Sequence, residues 1–342
     1  MSEMKAIIQK IEPGEHITRN PEGHFSSVLI RGDDTFKDFL AQGGAADITD
    51  LRRFILSKLD REYVEEIASG LMLHSRNGGC SVCNVRSDRG GYLFGRNFDF
   101  QRSNMLIVKS EPVTGYASLS TVNPDFIGMR TGQSIFDEKY ERLLRLMAVY
   151  MPVDGMNEKG LCVSVNKIRD EEITQQTHPG RTDQTAGTLL RTMLDCAEDV
   201  DEAVEILERT NYHSFEGGVL HFAVADAKGR SVCVEYIDNL LHIIDSPVVT
   251  NFYLTEGEKH GIGTYQSQLR YRKLCDTIRE KDLKNEGFSR EELKKALSSV
   301  AKSNYKADGE LYTEWSVIYD RNELSAQYYR REDYEHGYEI FL

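Results

Sequence analysis

The sequence predicts an α+β protein of stacked layers, in which helices cover β-sheets. Groups of short β-rich runs alternate along the chain with groups that show helical periodicity, and this alternation is typical of layered sheets and helices. The 342 residues are 40% hydrophobic, which supplies ample apolar material for a core. Neither an internal repeat nor a low-complexity stretch divides the chain.

The N-terminal part, residues 1–79, is predicted to be a mainly helical segment led by one strand. Apolar residues recur at three- and four-residue spacing in three runs, as expected for helices: "DTFKDFLAQ", "ITDLRRFILSKL" and "REYVEEIASGLML". The stretch "HSRNGG" then interrupts this pattern and ends at Gly79. The sequence therefore predicts a boundary between a segment 1–79 and a domain 80–342.

The domain 80–342 opens with short strands separated by turn residues: "CSVCNV", "GYLFGRNF", "MLIVKSEP" and "YASLSTV". A helix is predicted for "DEKYERLLRLMAVYM", and "GMNEKGLCVSVN" is expected to be a turn that leads into a strand. Two helices follow, "TAGTLLRTMLDCA" and "VDEAVEILERT", and Asp201 is a candidate cap near the start of the second.

The last third repeats this alternation. A hairpin is predicted for "LHFAVAD" and "SVCVEY" around "AKGR", and two further strands for "LLHIID" and "PVVTNF". Helices are predicted for "SQLRYRKLCDTI" and "SREELKKALSSV". Three strands are predicted to follow them: "EWSVIYD", "LSAQYYR" and "GYEIFL".

Composition argues against several classes of function. The formal net charge is 42 − 55 = −13, which disfavours binding to nucleic acid or to an anionic membrane surface. No run approaches the ~18 apolar residues of a membrane span, and the N-terminus lacks the pattern of a signal peptide. Six cysteines in such a chain are expected to be reduced thiols, which favours a cytoplasmic location.

The pair Cys80 and Cys83 allows three interpretations from local pattern alone. A structural zinc site needs four ligands, usually as two close pairs, and no second pair is present. A redox CxxC opens a helix, whereas "CSVCNV" resembles a strand. The third interpretation is that both are buried small side chains. No metal or cofactor is predicted.

The glycine pair before Cys80 points to different chemistry. If the Gly79–Cys80 peptide bond is cut, the Cys80 thiol acquires a neighbouring α-amine with an ordinary pKa of about 7.7–8.0. Such an amine can act as the base for its own nucleophile. Residues 1–79 are then a pro-segment that Cys80 removes: the thiol attacks the Gly79 carbonyl, and water hydrolyses the resulting thioester.

The run "CSVCNVRSDRGGYLFGRNFDF" resembles the N-terminal-nucleophile (Ntn) hydrolases of the choloylglycine hydrolase group. That group includes bile salt hydrolases and penicillin V acylases and has acid ceramidase-like relatives. The resemblance implies a four-layer αββα sandwich and hydrolysis of a linear carbon–nitrogen amide through a thioester. It places the nucleophile at Cys80, with Arg96 and Asp99 beside it, and makes Cys83 dispensable.

Three further residues follow from the same resemblance. The segment "DGMNEKGLCVSVN" is similar to a family segment that implies a role for Asn166 in the substrate site. The segment "VVTNF" implies that Asn251 donates to the oxyanion, and "SQLRYRKL" implies a catalytic arginine at Arg270, with Arg272 as the alternative. The length of segment 1–79 resembles the pro-segment of the ceramidase-like members.

Several alternatives stay open. By composition alone, Arg96 and Asp99 are a surface ion pair, Asn251 a turn residue, Asn166 the end of a strand and Arg270 part of a solvated helix face. The substrate is expected to be a small N-acyl amide whose acyl group is open, and a homo-oligomer is compatible with the resemblance. An acyltransferase and a non-catalytic thiol module are the competing functions.

Overall fold

The computed structural model describes residues 6–11, 16–32, 35–58, 78–127, 138–214, 218–305 and 311–342. Within these ranges the chain forms two large sheets that face each other, with helices on their outer sides. Among the described helices, none combines the length and the apolar character that crossing a bilayer requires.

The strands are short, and most of those in the domain 80–342 lie where the sequence predicts them. In chain order they are β1 (Ile7–Ile8), β2 (Thr18–Arg19), β3 (Ser26–Arg31), β4 (Gly79–Arg86), β5 (Tyr92–Phe100), β6 (Leu106–Glu111), β7 (Ser118–Val122), β8 (Asp154–Asn157), β9 (Cys162–Ile168), β10 (Thr182–Gln184), β11 (Thr210–Tyr212), β12 (Val219–Ala225), β13 (Ser231–Ile237), β14 (Leu240–Asp245), β15 (Val248–Val249), β16 (Tyr312–Asp320), β17 (Ser325–Arg330) and β18 (Gly337–Phe341).

The described helices coincide with the predicted helical runs. They are α1 (Thr35–Ala41), α2 (Ile48–Ser57), α3 (Glu138–Tyr150), α4 (Ala186–Cys196), α5 (Val200–Glu208), α6 (Tyr265–Leu283) and α7 (Arg290–Ser299). The cap predicted at Asp201 is wrong. Asp199 caps α5 instead and accepts the Glu202 N–H at 3.1 Å, because the helix begins at Val200 and the preceding residue is the N-cap.

The two large sheets are mostly antiparallel. One has seven strands in the order β1-β18-β17-β16-β5-β4-β15, and the other has nine in the order β14-β13-β12-β9-β8-β7-β6-β3-β2. The exceptions to antiparallel pairing are β1 with β18 and β3 with β6, which run parallel. A separate pair, β10 with β11, is also parallel.

Three hydrophobic interfaces define four layers. The inner faces of the two sheets pack on each other, and here Phe98 and Trp315 stack with ring centroids 3.9 Å apart. Helices α6 and α7 cover the outer face of the seven-stranded sheet through side chains such as Leu274 and Leu297. Helices α1 to α5 cover the outer face of the nine-stranded sheet. This is the predicted four-layer αββα sandwich.

The N-terminal segment is built into both sheets. Its described part has three strands, where the sequence predicts one, and two helices. Strand β3 pairs with β6 from Ser26↔Leu106 to Arg31↔Glu111. Helices α1 and α2 pack on α3, with Phe39 and Tyr150 edge to face at 5.5 Å. The third predicted helix, "REYVEEIASGLML", lies outside the described residues.

Candidate active site

Strands β4 and β5 bring the first three candidate residues together. They form an antiparallel hairpin in which Gly79 lies opposite Asp99, Cys80 opposite Phe98 and Val82 opposite Arg96. Because side chains alternate between the faces of a strand, Cys80 and Arg96 share the face between the sheets, and Asp99 lies on the helix-covered face. The separations of sixteen residues from Cys80 to Arg96 and of nineteen from Cys80 to Asp99 therefore follow from the pairing of two strands in one hairpin.

The Cys80 thiol is buried, with the residue only 4% exposed. Its Sγ lies 3.4 Å from Arg96 Nη2 and 4.0 Å from the Val165 carbonyl oxygen. Burial raises the pKa of the Cys80 thiol above its ordinary value, and the charge of Arg96 opposes that rise. Arg96 therefore stabilises the thiolate, the form that acts as a nucleophile.

Arg96 is held by partners that keep its guanidinium at the thiol. It is fully buried and forms an ion pair with Asp154 at 2.7 Å, and its Nη2 donates to the Val165 carbonyl at 2.7 Å. Asp154 in turn accepts the Tyr319 hydroxyl at 2.7 Å. The composition-based interpretation of Arg96 as a surface residue is wrong. Asp154 was missed by the sequence reasoning, although an acidic residue inside the apolar run "MPVDGM" is an unusual pattern.

Asp99 is buried on β5, opposite the N-terminal end of β4. Its Oδ1 accepts the Thr313 hydroxyl at 2.8 Å, and its Oδ2 lies 3.4 Å from Arg270 Nη1. Burial raises the pKa of Asp99, while the charges of Arg270 and Lys302 and the Thr313 hydroxyl oppose that rise. Charged partners on the helix side thus favour the carboxylate in a site without solvent.

Lys302 is a neighbour of the Gly79–Cys80 bond that sequence reasoning missed. The residue is 3% exposed and its backbone N–H donates to Thr313 at 2.8 Å. A Cβ placed on Gly79 would lie 3.0 Å from Lys302 Cε, 3.2 Å from Lys302 Nζ and 3.2 Å from Asp99 Oδ2. The bond that would have to be cut is therefore flanked by an ammonium and a carboxylate.

Asn251, which follows β15, joins Cys80 to the rest of the site. Its Oδ1 accepts the Cys80 backbone N–H and Arg270 Nη2, both at 2.8 Å, and its Nδ2 donates to the Lys167 carbonyl at 2.7 Å. Two donors at one end of the amide and a carbonyl at the other leave a single consistent orientation of the side chain. Asn251 thus holds the nitrogen that would become the α-amine.

Arg270 reaches the site from helix α6. It is 1% exposed, and its Nη1 donates to the Cys80 carbonyl at 2.7 Å and to the Ser81 hydroxyl at 2.6 Å. Arg272, the alternative, is exposed and contacts Gln268 on its own helix. The structure therefore places Arg270, and not Arg272, beside the candidate nucleophile.

Asn166 is buried on β9 but its side chain is turned to β15. Its Nδ2 donates to the carbonyls of Val249 at 3.3 Å and Thr250 at 3.1 Å, and its Oδ1 accepts the Ser164 hydroxyl at 3.0 Å. These contacts support the backbone that carries Asn251.

Cys83 lies on the opposite face of β4 from Cys80. It belongs to the cluster under α6 and α7, whereas Cys80 belongs to the cluster between the sheets. Burial raises the pKa of Cys83 to about 12. An odd separation along a strand directs two side chains to opposite faces, so the two thiols do not share a metal or redox site. The interpretation as a CxxC module is wrong.

One cluster in the described ranges groups metal-ligand types. His221, Cys233 and Glu235 are buried, and one ligand atom of each lies within 4.8 Å of the others. Both Glu235 oxygens already accept hydrogen bonds from the Leu254–Thr255 backbone or side chain. Structural zinc sites use four protein ligands, and this cluster offers three. Its polar groups are satisfied by the protein, so we assign it no metal.

The arrangement contains the parts that amide cleavage requires. A buried sulfur lies beside a guanidinium, the nitrogen of the same residue is held by an amide oxygen, and an amide N–H group is within the same cluster. A nucleophile, a latent base and an oxyanion donor can therefore act on one carbonyl.

Comparisons with known proteins identify a family of amide hydrolases. Residues 80–255 match the family model described as linear amide C-N hydrolases, choloylglycine hydrolase family. The chain is 27% identical over 190 residues to a bile salt hydrolase/transferase of Clostridium perfringens. That alignment covers 49% of this chain and 51% of the relative, so it spans about half the length of that protein.

Solved structures share the fold. One variant of the conjugated bile acid hydrolase from Clostridium perfringens matches with a TM-score of 0.59 at 19% identity, over 77% of this chain and 92% of that chain. A second variant of the same hydrolase matches with a TM-score of 0.55 at 17% identity, over 73% of this chain and 89% of that chain. At these identities the likeness is one of architecture.

Proposed function

Because the chain belongs to the choloylglycine hydrolase family of linear amide C–N hydrolases, we propose that it hydrolyses N-acyl amides with Cys80 as an N-terminal nucleophile. The observation that carries the proposal is the convergence on Cys80: Arg96 lies 3.4 Å from its sulfur, and Asn251 accepts its N–H at 2.8 Å. The sulfur and the nitrogen of one residue are thus each provided with a partner.

The first step of the proposal is self-cleavage. The Cys80 thiol attacks the Gly79 carbonyl, a carbon–sulfur bond forms as the carbon–nitrogen bond breaks, and the thiol proton ends on the Cys80 nitrogen. Water then hydrolyses the thioester, which leaves a Gly79 carboxylate, a free thiol and an α-amine. Asn251 and Arg270 already hold the Cys80 N–H and carbonyl, so the nucleophile keeps its place during the exchange.

Turnover repeats this chemistry on a substrate. The α-amine takes the thiol proton and returns it to the leaving amine, and Arg96 stabilises the thiolate in between. Asn251 Nδ2 turns from the Lys167 carbonyl to the tetrahedral oxyanion, where one such donor contributes about 3–4 kcal/mol. Asp99 is close enough to the Gly79 position to orient the new amine, and Asn166 supports the backbone of Asn251.

Segment 1–79 is expected to remain bound after the cut, rather than to leave as the sequence predicts. Its strand β3 pairs with β6 over six residues inside the nine-stranded sheet, and α1 and α2 share a buried cluster with α3. Loss of the segment would expose that apolar cluster to water, at a cost of roughly 1.5–3 kcal/mol for each large side chain. The mature protein would then consist of two chains.

Mass spectrometry tests the two-chain state. Under denaturing conditions we expect a fragment of 342 − 79 = 263 residues, and under native conditions a particle with the mass of the intact 39.0 kDa chain or a multiple of it. A native particle that contains only the larger fragment would contradict retention.

Activity is tested with a panel of N-acyl amides that includes conjugated bile acids, because a curated relative is named a bile salt hydrolase/transferase. Wild-type protein should release the free acid, and Cys80→Ala should release none. Added amine acceptors should leave the free acid as the main product, whereas acyl transfer to the amine would favour the transferase alternative. Undiminished hydrolysis by Cys80→Ala would overturn the proposal.

A further inference from the structure

A buried histidine–glutamate pair lies next to the candidate site and has no place in the chemistry above. His221 on β12 and Glu235 on β13 are both 0% exposed, and His221 Nδ1 lies 3.2 Å from Glu235 Oε1. Removing a carboxylate and an imidazole from water costs desolvation free energy, and contacts within the protein must offset that cost.

The histidine has a polar partner at each ring nitrogen. Its Nε2 donates to the Thr250 carbonyl at 2.8 Å, while its Nδ1 faces Glu235. Each ring nitrogen of His221 therefore has an oxygen within hydrogen-bond distance, one on the Thr250 backbone and one on the Glu235 side chain. The Cys233 sulfur lies 3.4 Å from Nδ1 and is the third polar neighbour in the cluster.

The glutamate accepts hydrogen bonds from two residues that follow Asn251 in the chain. Its Oε1 accepts the Leu254 N–H at 2.8 Å, and its Oε2 accepts the Thr255 N–H at 2.9 Å and the Thr255 hydroxyl at 2.6 Å. The pair therefore contacts the backbone on both sides of Asn251, at Thr250 before it and at Leu254–Thr255 after it. We call the pair and these contacts the His221–Glu235 clamp.

The clamp spans the layer between the sheets. Strands β12 and β13 belong to the nine-stranded sheet, while β15, which leads into Asn251, pairs with β4 of the seven-stranded sheet. The distance between the sheets at this point fixes where Asn251 can place its amide relative to Cys80. Small displacements matter here, since a misplacement of about 1 Å costs about 100-fold in rate.

We propose that the His221–Glu235 clamp is a positioning device for Asn251, which sets the rate of both self-cleavage and amide hydrolysis. The proposal rests on the proposed function, because it takes Asn251 as the group that holds the Cys80 nitrogen and meets the oxyanion. Neither clamp residue touches the reacting atoms; both act through the backbone of residues 250–255.

The main test replaces His221 with a residue that cannot bridge both acceptors. In His221→Gln, one amide cannot serve Thr250 and Glu235 together, so we expect kcat to fall about 10- to 100-fold while KM changes less than about 2-fold. The initial rate of self-cleavage should fall by a similar factor, because both reactions depend on the same placement of Asn251.

A control is available in a second histidine–carboxylate pair, in which the histidine is buried and the side chain of Asp183 is 40% exposed. His213 is 4% exposed and its ring nitrogens contact Asp183 at 2.9 Å and Gln175 at 2.7 Å. It lies on the bridge next to β11, among contacts that do not include Asn251. His213→Gln also removes a buried imidazole from a carboxylate partner, yet should leave kcat within about 2-fold of wild type.

A milder variant keeps the proposal testable if His221→Gln does not fold. Thr255→Val removes one hydroxyl from Glu235 and should lower kcat about 3- to 10-fold with KM unchanged, by a smaller displacement of the same backbone. Equal kcat values for the clamp variants and the His213 control, or a change confined to KM, would overturn the proposal. If Cys80→Ala also hydrolyses amides, the failure lies in the proposed function and not in the clamp.

Discussion

Gly79 is a position at which one added methyl group should slow the proposed self-cleavage. The residue is buried opposite Asp99, and a Cβ at this position would lie 3.0 Å from Lys302 Cε and 3.2 Å from Asp99 Oδ2. Both distances are shorter than ordinary van der Waals contact. In Gly79→Ala, either Lys302 and Asp99 or the backbone of the scissile bond must therefore move by a few tenths of an ångström.

The size of the effect follows from that displacement. If a misplacement of 1 Å costs about 100-fold, a shift of about 0.3–0.5 Å costs about 4- to 10-fold in the rate of attack on the Gly79 carbonyl. Overpacking of a buried position also lowers the free energy of unfolding by about 1–3 kcal/mol. Gly79→Ala should thus fold, but should convert to two chains several times more slowly.

Gly78 provides the control for this experiment. A Cβ at Gly78 would lie 3.9 Å from each of its three nearest atoms, which is ordinary contact. The assay follows the 342 − 79 = 263-residue fragment by denaturing mass spectrometry after a pulse of synthesis. We expect Gly78→Ala to match wild type. The reasoning is refuted if both variants self-cleave at the wild-type rate, or if Gly78→Ala is the slower of the two.

Three further predictions concern single side chains. Arg96→Met should move the pH profile of Cys80 alkylation to higher pH, because the charge of Arg96 lowers the thiol pKa against the effect of burial; an unchanged profile would argue against that role. Cys83→Ala should retain amide hydrolysis within about 2-fold, since this thiol faces the helices; equal losses for both cysteines would favour a shared thiol site. Burial raises the pKa of Glu235, but hydrogen bonds from His221, Thr255 and Leu254 more than offset it and lower the pKa to about 2. The carboxylate therefore contributes about 3 kcal/mol of stability above pH 4.5, which is lost as the pH falls towards 2. In Glu235→Gln, the free energy of unfolding measured with a chemical denaturant should depend less on pH between pH 4.5 and pH 2.

The site residues that a single sequence segment predicts lie close together in the chain. Cys80, Arg96 and Asp99 lie on one hairpin, so their spacing is a direct consequence of strand pairing and can be recognised in a single segment. Asn251 and Arg270 lie 171 and 190 residues from Cys80, and only resemblance to a family connected them with it. The residues recognised in one segment differ from those connected only by the resemblance in their distance from Cys80 along the chain, and not in their chemical type.

The buried polar partners were missed for a different reason. Asp154 and Glu235 lie on strands β8 and β13, and Lys302 begins a short 3-10 helix. An isolated charged residue is most often at the surface, whereas these three are buried. Their importance depends on which element packs above them, and that information arises only when the sheets are assembled. The alternation of faces explains in retrospect why Cys80 and Cys83 have separate environments.

The N-terminal segment illustrates the limit of periodicity. The helical runs of α1 and α2 were predicted, but β3 belongs to a parallel pair with β6, which lies 80 residues further along the chain. A short apolar run such as "SSVLIR" does not indicate its partner. The sequence therefore predicted a separate leading segment where the structure has a strand within the sheet.

The proposed function requires that Cys80 becomes a chain terminus and acts as a nucleophile from that position. N-terminal sequencing of the purified protein, combined with the acyl-amide assay on the same sample, tests it most directly. We predict that the fraction of chains beginning Cys-Ser-Val rises in proportion to the measured activity. A fully active sample that contains only the uncut 342-residue chain would contradict the proposed function.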